Sequence, residues 1–374
     1  MPRLIGSLGG TQQAVLRELR RRGAASRAEL AAACGVTPAA MSVITRDLVA
    51  EKLICEGGRR HGGRGAPQID LTLSGAVGVA LGVHATRHVV ALSLLDFRGE
   101  ILAEARIPGD FSSFSQVLDT ILAGIAELRR SAGASAPLIG AGVALPTRFQ
   151  GATRGLDLAD EVTSWRDAAI VDTLEAALGC PVRVENDANA AAIGELSLGN
   201  AAGHRDFAYL YLSEGIGGAL VLNGALYRGM RGNAGEFGAL VPRGQPRPSF
   251  EDLADFCRAG ARTPPPEGRD PAAWASYLDT EAEVVGRWID RAVPQVARLV
   301  FVVTAMIAPA AVCIGGTLPQ ALRAALRARV DPGATEATQG GRVVRPELVL
   351  PDVEAADAVA FGAAALILLG PEAG

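Results

Sequence analysis

The 374-residue chain is 49% apolar and 20% charged, which excludes a disordered protein and allows two or three domains with cores of their own. Five cysteines, none close to another in sequence, exclude a disulfide scaffold and a thiolate zinc cluster. The net charge of −4 is unevenly shared: residues 1–73 sum to +5 and the rest to −9, so a small basic head suited to a polyanion precedes an acidic body.

Three helices are expected in the first fifty residues. Gln12 to Arg22 carries Val15, Leu16 and Leu19 at helical spacing. Ser26 with Glu29 forms a capping box for a second helix running to about Ala33, and Gly35 permits the tight turn of a helix-turn-helix. Thr37 caps a third helix with Pro38 at its first position. Met41, Ile44 and Leu48 form its buried stripe, leaving Ala39, Ser42, Thr45 and Arg46 on a small, polar face suited to a major groove. Leu53 to Glu56, a glycine-rich basic tip and Gln68 to Leu73 then read as a wing, whose Arg59, Arg60 and Arg64 are placed for phosphate or minor-groove contacts. The expected DNA-binding residues are Ser42, Thr45, Arg46, Arg59, Arg60 and Arg64, and residues 1–76 form the expected first domain.

Residues 77–374 form the second. Val77 to Val83, Val89 to Leu95 and Glu100 to Arg106 read as successive strands, followed by a helix at Phe114 to Arg130, a strand at Leu138 to Leu145 and a helix at Asp167 to Leu178. Val182 to Glu185 is a short strand and Ala188 to Leu198 a helix. Ala208 to Leu212, Gly217 to Leu222 and Ala225 to Tyr227 form a meander with a turn at Asn223-Gly224. Helices are expected at about 249–258, 271–290 and 292–307, with an exposed proline-rich loop from Gly260 to Pro271. The uncharged run Leu299 to Gly316 contains Pro309 and Gly315-Gly316. It therefore reads as a buried helix and the core strand Ala311 to Ile314, not as a membrane span. A helix from Pro319, a strand at Leu348 to Leu350 and a last helix from Glu354 complete the chain. A meander followed by helices and parallel strands, given twice, implies a duplicated α/β fold with a cleft between lobes.

Val184 to Glu195 is the most informative segment. Its strand delivers Asn186 and Asp187 to the carboxyl end, where open α/β sheets bind ligands, and a carboxylate there can hold a sugar hydroxyl or accept its proton. Capping of the following helix is the competing use of those residues. Together with Ser213-Glu214-Gly215-Ile216-Gly217-Gly218, the run Gly229 to Gly238 with Gly235-Glu236-Phe237-Gly238, and Ile314-Gly315-Gly316-Thr317, the segment resembles the ROK family of repressors and sugar kinases, in its regulator form. The resemblance implies a winged helix-turn-helix followed by a two-lobed actin/hexokinase-like domain over essentially the whole length. It also implies a ligand set of Asn186, Asp187, Glu236 and Glu251.

The departures carry as much weight. Where the family's kinases have Asp, aliphatic, Gly, Gly, Thr for the first phosphate loop, this chain has His84-Ala85-Thr86-Arg87-His88, without the magnesium acid or the glycines. Ala239 replaces the expected histidine, Leu240 to Phe250 holds no cysteine, and Cys257 has no cysteine partner before Cys313, so no zinc and no other cofactor is expected. The expected function is a cytoplasmic DNA-binding transcriptional regulator, not an enzyme, with a double-stranded operator, a sugar-like effector and a homodimeric or homotetrameric working unit, and no membrane partner. A sugar kinase with a DNA-binding head and a ligand-independent regulator are the alternatives.

Overall fold

The computed structural model describes residues 8–60, 68–150, 155–166, 168–198, 203–242, 244–331, 345–351 and 355–370. Its head contains helices α1 (Gly10–Arg22), α2 (Arg27–Cys34) and α3 (Pro38–Ala50). Strands β1 (Ala24–Ser26), β2 (Ile54–Arg60) and β3 (Gln68–Leu73) form an antiparallel sheet in the order β1-β3-β2. The capping box is present: Ser26 Oγ accepts from Glu29 N, and Ser26 N donates to the Glu29 carboxylate at 2.7 Å. Gly35 ends α2 with φ 66°, and Thr37 caps α3. Val15, Leu16, Leu19, Leu30, Met41 and Leu48 close the core of the trio. Strand β1 was not expected, because three residues are too few to display an alternation.

One expected groove residue is misplaced. Thr45 is buried, its hydroxyl donating to Met41 O at 2.8 Å and accepting from Arg27 Nε at 3.1 Å. At 100° per residue, position 45 falls beside positions 41 and 48, so Thr45 joins the inward stripe while Ile44 is only half-buried.

The body repeats one topology. In the first lobe, β4 (Val79–Ala85), β5 (Val89–Asp96) and β6 (Ile101–Pro108) form a meander to which β7 (Leu138–Leu145) and β10 (Val182–Asn186) add in parallel. The sheet order is β10-β7-β4-β5-β6. Helix α4 (Phe114–Ser131) precedes β7 and α5 (Ile170–Leu178) precedes β10, with a small hairpin, β8 (Thr147–Gln150) and β9 (Gly155–Leu158), between β7 and α5. The second lobe has β11 (Phe207–Leu212), β12 (Ile216–Leu222), β13 (Ala225–Tyr227), β14 (Ala311–Gly315) and β15 (Glu347–Val349), in the order β13-β12-β11-β14-β15. Each sheet therefore runs third, second and first meander strand, then two parallel strands.

Helix α6 (Asp187–Leu198) joins the lobes, and α7 (Phe250–Gly260), α8 (Pro271–Thr280), α9 (Ala282–Ile307) and α10 (Gln320–Arg329) accompany the second. The break expected near residue 291 lies instead at Glu281, and α9 continues through Pro294. Buried Glu281 accepts from Thr263 N at 3.0 Å and Thr263 Oγ1 at 2.8 Å, which ties the end of α8 to the preceding loop. No single described helix is long and apolar enough to cross a membrane.

The last helix, α11 (Ala355–Leu369), returns from the second lobe to lie on the sheet of the first. The approach is backbone to backbone: a Cβ on Gly82 or Gly142 would stand 1.8 Å from the carbonyl oxygen of Ala360 or Ala363. Gly82→Ala is therefore expected to cost about 1–3 kcal/mol or more by overpacking. Gly286→Ala, in α9 with nothing within 4 Å of the added carbon, is expected to gain about 0.5–1 kcal/mol. Urea unfolding of the two variants measures the contrast.

Candidate ligand cleft

The junction of β10 and α6 places the central residues. Asn186 Oδ1 accepts from Asn189 N at 3.1 Å, and its Nδ2 donates to Thr147 O at 2.7 Å. Its side chain is thus committed to capping α6 and holding the start of β8. Glu185, buried one residue earlier, accepts from Asn186 N and Asn189 Nδ2, each at 2.9 Å, and pairs with Arg228. With these neighbours fixing the turn, Asp187 begins the helix with Oδ1 accepting from Ala188 N at 2.9 Å. Burial pushes its carboxyl up to about 7, with nearby Glu236 adding to the rise.

Asp187 borders an interlobe cavity of about 220 Å³ that also meets Thr86, His88, Glu161, Tyr211, Ser213 and Trp274. Of the four expected ligand residues, only Asp187 lines it. Glu236 is exposed before the short turn Phe237–Leu240, within electrostatic reach of Asp187. The protein around Glu236 raises its carboxyl against the pull of Arg148. Glu251 is exposed in the first turn of α7, close enough to Glu161 to raise it. The fold thus gathers Asp187, Glu236 and Glu251 about one acidic region and turns Asn186 to structural work.

Glu161 is the residue that sequence reasoning missed. It sits in the turn Asp160–Trp165, held by buried Val162 and by Trp165, whose Nε1 donates to Phe111 O at 3.0 Å. Burial first, then the charges of Glu214 and Asp187, push its carboxyl to about 8. Glu161 Oε2 and the Tyr211 hydroxyl are both buried with no hydrogen-bond partner among the described residues. Orphaned polar atoms bordering a cavity are suited to a bound molecule that completes their bonding. No alternation or cap marks Glu161 in the sequence; only its later proximity to Asp187 does.

The two loops that would hold phosphates are partly closed on themselves. Thr86 Oγ1 accepts from His88 N at 3.2 Å and Val89 N at 3.1 Å, so the turn satisfies its own amides. His84 is fully buried and kept neutral, its imidazole pushed down to about 3 by burial and then by Arg106. In the second loop, Ser213 N donates to Gly215 O at 2.9 Å, and Glu214 is paired through both carboxylate oxygens with Arg269. Arg269 lies 4.4 Å from the centroid of the Phe250 ring. The loop from Gly260 to Pro271 is mostly exposed, as expected, and is pinned at half-buried Arg269, where Glu214 and Phe250 give the guanidinium a charge partner and an aromatic face. Cys257 is buried, and no grouping of three or more His, Cys, Asp or Glu suited to a metal occurs among the described residues.

On the head, Ser42 and Arg46 are exposed on α3, with Ser42 Oγ donating to Pro38 O at 2.8 Å. Arg59 and Arg60 end β2, and Arg64 lies outside the described residues.

A winged three-helix head on a duplicated two-lobed body, with a carboxylate at the interlobe strand end, defines an actin/hexokinase-like protein with a helix-turn-helix. The chain belongs to the ROK family, whose model matches residues 77–262. It is 31% identical over 303 residues, 80% of this chain and 76% of the other, to protein y4fQ of Sinorhizobium fredii. It is 27% identical to the xylose repressor of Bacillus spizizenii over 62% of this chain and 60% of that one. With the glucokinase of Streptomyces coelicolor it shares 33% identity over 45% of this chain and 52% of that enzyme. The fold matches the crystal structure of a ROK family transcriptional regulator, a homolog of the E. coli MLC protein, with TM-score 0.68, 20% identity and 96% of both chains covered.

The raised carboxyls set a pH dependence. An acid whose folded value exceeds its unfolded value holds the extra proton when folded, so stability falls as pH rises from the unfolded to the folded value and is level above it. For Asp187 the interval is about 4 to 7, and for Glu161 about 4.5 to 8. The thermal midpoint of Asp187→Asn/Glu161→Gln, relative to wild type, is expected to be higher at pH 8 than at pH 5 in scanning calorimetry. Equal differences at both values would show that neither carboxyl is raised.

Proposed function

We propose that the chain is a DNA-binding transcriptional regulator whose two-lobed body senses a small polyhydroxylated molecule, in the sugar class, in the cleft bounded by Asp187. Residues 1–76 serve as the DNA-reading part and residues 77–374 as the sensing part. The carrying observation is the state of the phosphate loops beside an intact carboxylate: the amides of Thr86, His88 and Val89 are bonded within their own turn and Glu214 is clamped by Arg269, yet Asp187 still faces the cavity. Such a cleft retains the means to hold hydroxyls, while Arg269, which borders it together with Arg106, is spent on Glu214 and not free for a triphosphate. The xylose repressors among the relatives support this reading.

In the regulator, Asp187, Glu236 and Glu251 accept bonds from ligand hydroxyls, Glu161 donates one when protonated, and Asn186 fixes the turn that aims Asp187. Each charge-assisted hydrogen bond contributes about 1.5–3 kcal/mol, so removing one carboxylate should weaken binding roughly tenfold to a hundredfold. Titration calorimetry of D-xylose and D-glucose into wild type, Asp187→Ala and Glu236→Ala tests the assignment. A sugar bound equally tightly by all three proteins would place the ligand elsewhere.

The head reads its operator through Ser42 and Arg46 on α3, with Arg59, Arg60 and Arg64 on the wing meeting phosphates; the working unit is a homodimer or homotetramer that presents two such heads. In fluorescence anisotropy with DNA from upstream of the chain's own gene, affinity should fall steeply with salt. Losing one phosphate-binding arginine should reduce the log–log slope by about 0.9 per contact. Undiminished binding by a protein lacking residues 1–73 would overturn the head's role.

One observation favours the kinase reading: an aspartate poised at about 7 has the proton affinity of a general base, and glucokinases are among the relatives. Glucose-dependent release of ADP from ATP that disappears in Asp187→Ala would establish it. The regulator reading expects none.

A further inference from the structure

The carboxyl end of α11 is a meeting point for two arginines from different parts of the chain. Arg183, on the strand that delivers Asn186 and Asp187, donates through Nη1 to Leu366 O at 2.9 Å and Gly370 O at 3.1 Å. Arg20, on α1 of the head, donates through Nη1 to Leu368 O at 3.1 Å and through Nη2 to Phe97 O at 2.9 Å. The carbonyls of Leu366 and Leu368 lie in the last turn, at the negative end of the helix dipole, so a guanidinium is the suited cap. Burial pushes Arg20 down to about 10, with Asp96 the charge that offsets it.

Leu19 and Leu73 of the head share one buried apolar cluster with Leu95, Phe97 and Leu368 of the body, and the Arg20 guanidinium also lies over the Phe97 ring. A crevice of about 680 Å³ runs beside this contact, lined by Leu19, Arg20 and Leu73 of the head and Leu95, Phe361 and Leu368 of the body. A change in the head's orientation would therefore be felt first at the Arg20 clasp and at the apolar contacts beside it. On the other side, α11 is seated rigidly against the helix that begins with Asp187. A Cβ on Gly362 would stand 1.8 Å from Ala190 O, and one on Gly194 would stand 2.3 Å from Ala358 O. Movement of β10 or α6 is therefore passed to the end of α11.

We propose that the last turn of α11 is the joint through which the ligand cleft governs the head, with Arg183 bearing on it from the cleft strand and Arg20 gripping it from the DNA-reading side. The proposal rests on the regulator reading for its purpose, but the joint itself is testable without ligand or DNA. A double-mutant cycle of Arg183→Gln and Arg20→Gln in the full chain is read by hydrogen exchange in the last turn of α11 and in α1. Arg183→Gln is expected to speed exchange in α1 about fivefold or more, within the range of typical couplings, and to have no further effect there once Arg20→Gln is present. Arg183→Lys and Arg20→Lys, which keep the positive charge and the aliphatic stem but replace the guanidinium fork with a single ammonium nitrogen, are expected to restore part of the protection and serve in place of either glutamine variant that does not fold. Exchange in α1 unchanged by Arg183→Gln or its lysine counterpart, or two effects that simply multiply, would overturn the proposal. Failure to find a sugar that binds would touch the sensing function and leave this result standing.

Discussion

The contact of α11 with glycine backbone is the constraint on which the arrangement of the body rests. A helix laid on a sheet is ordinarily separated from it by side chains, but here Gly82 and Gly142 of the sheet remove that layer, and Gly194 of α6 and Gly362 of α11 do the same between the two helices. Alanines at 358, 360, 363 and 364 supply the facing surface, all buried. Because α11 follows β15 of the second lobe yet seats on the first, it stitches the lobes together beside the cleft. The same seating leaves its carbonyl end at the surface of the first lobe, where the head docks. Cleft geometry and head attachment are thus two ends of one close-packed helix, and no larger side chain at the four glycines is compatible with both.

The cleft keeps an oriented carboxylate beside loops that are unlike phosphate cradles. Holding hydroxyls needs a few oriented acceptors, and the β10–α6 turn offers Asp187 as one because Glu185 and Asn186 fix the backbone. Holding a triphosphate needs free amides, a cation and a route for approach. In this chain Thr86 takes the His88 and Val89 amides, Glu214 supplies a negative charge, and Arg269 spends its positive charge on Glu214. The buried carboxyls of Asp187 and Glu161 also repel a polyanion whenever they are ionised. These features act on different atoms and point the same way, which gives them more force than the loss of any one motif residue.

Much of this was legible in the sequence because it depends on local rules. Caps at Ser26 and Thr37, the turn at Asn223-Gly224, the meander of each lobe and the strand-to-helix step before Asp187 follow from residue types at fixed spacing. The readings that failed depended on tertiary geometry. Thr45 looked polar and exposed until the helix wheel put it beside Met41 and Leu48, where Arg27 and Met41 O satisfy its hydroxyl. Glu161 carried no local signal, since its position depends on Trp165 anchoring a turn to Phe111, 54 residues away in sequence.

The division of labour between charge and packing follows from where each operates. Exposed pairs such as Arg46 with Asp47, at 3.9 Å and largely in solvent, add little to stability because water and salt screen them. Under the proposed reading that weakness is an asset, because Arg46 could exchange Asp47 for a phosphate at small cost. Arg20 and Arg183 are in the opposite position. Their guanidinium groups are largely withdrawn from water and spend their donors on carbonyls, so leaving those carbonyls strands both a buried charge and an uncapped helix end. The three-helix head thus carries both kinds of arginine, exposed Arg46 on α3 and withdrawn Arg20 on α1, while Arg183 meets the same helix end from the body.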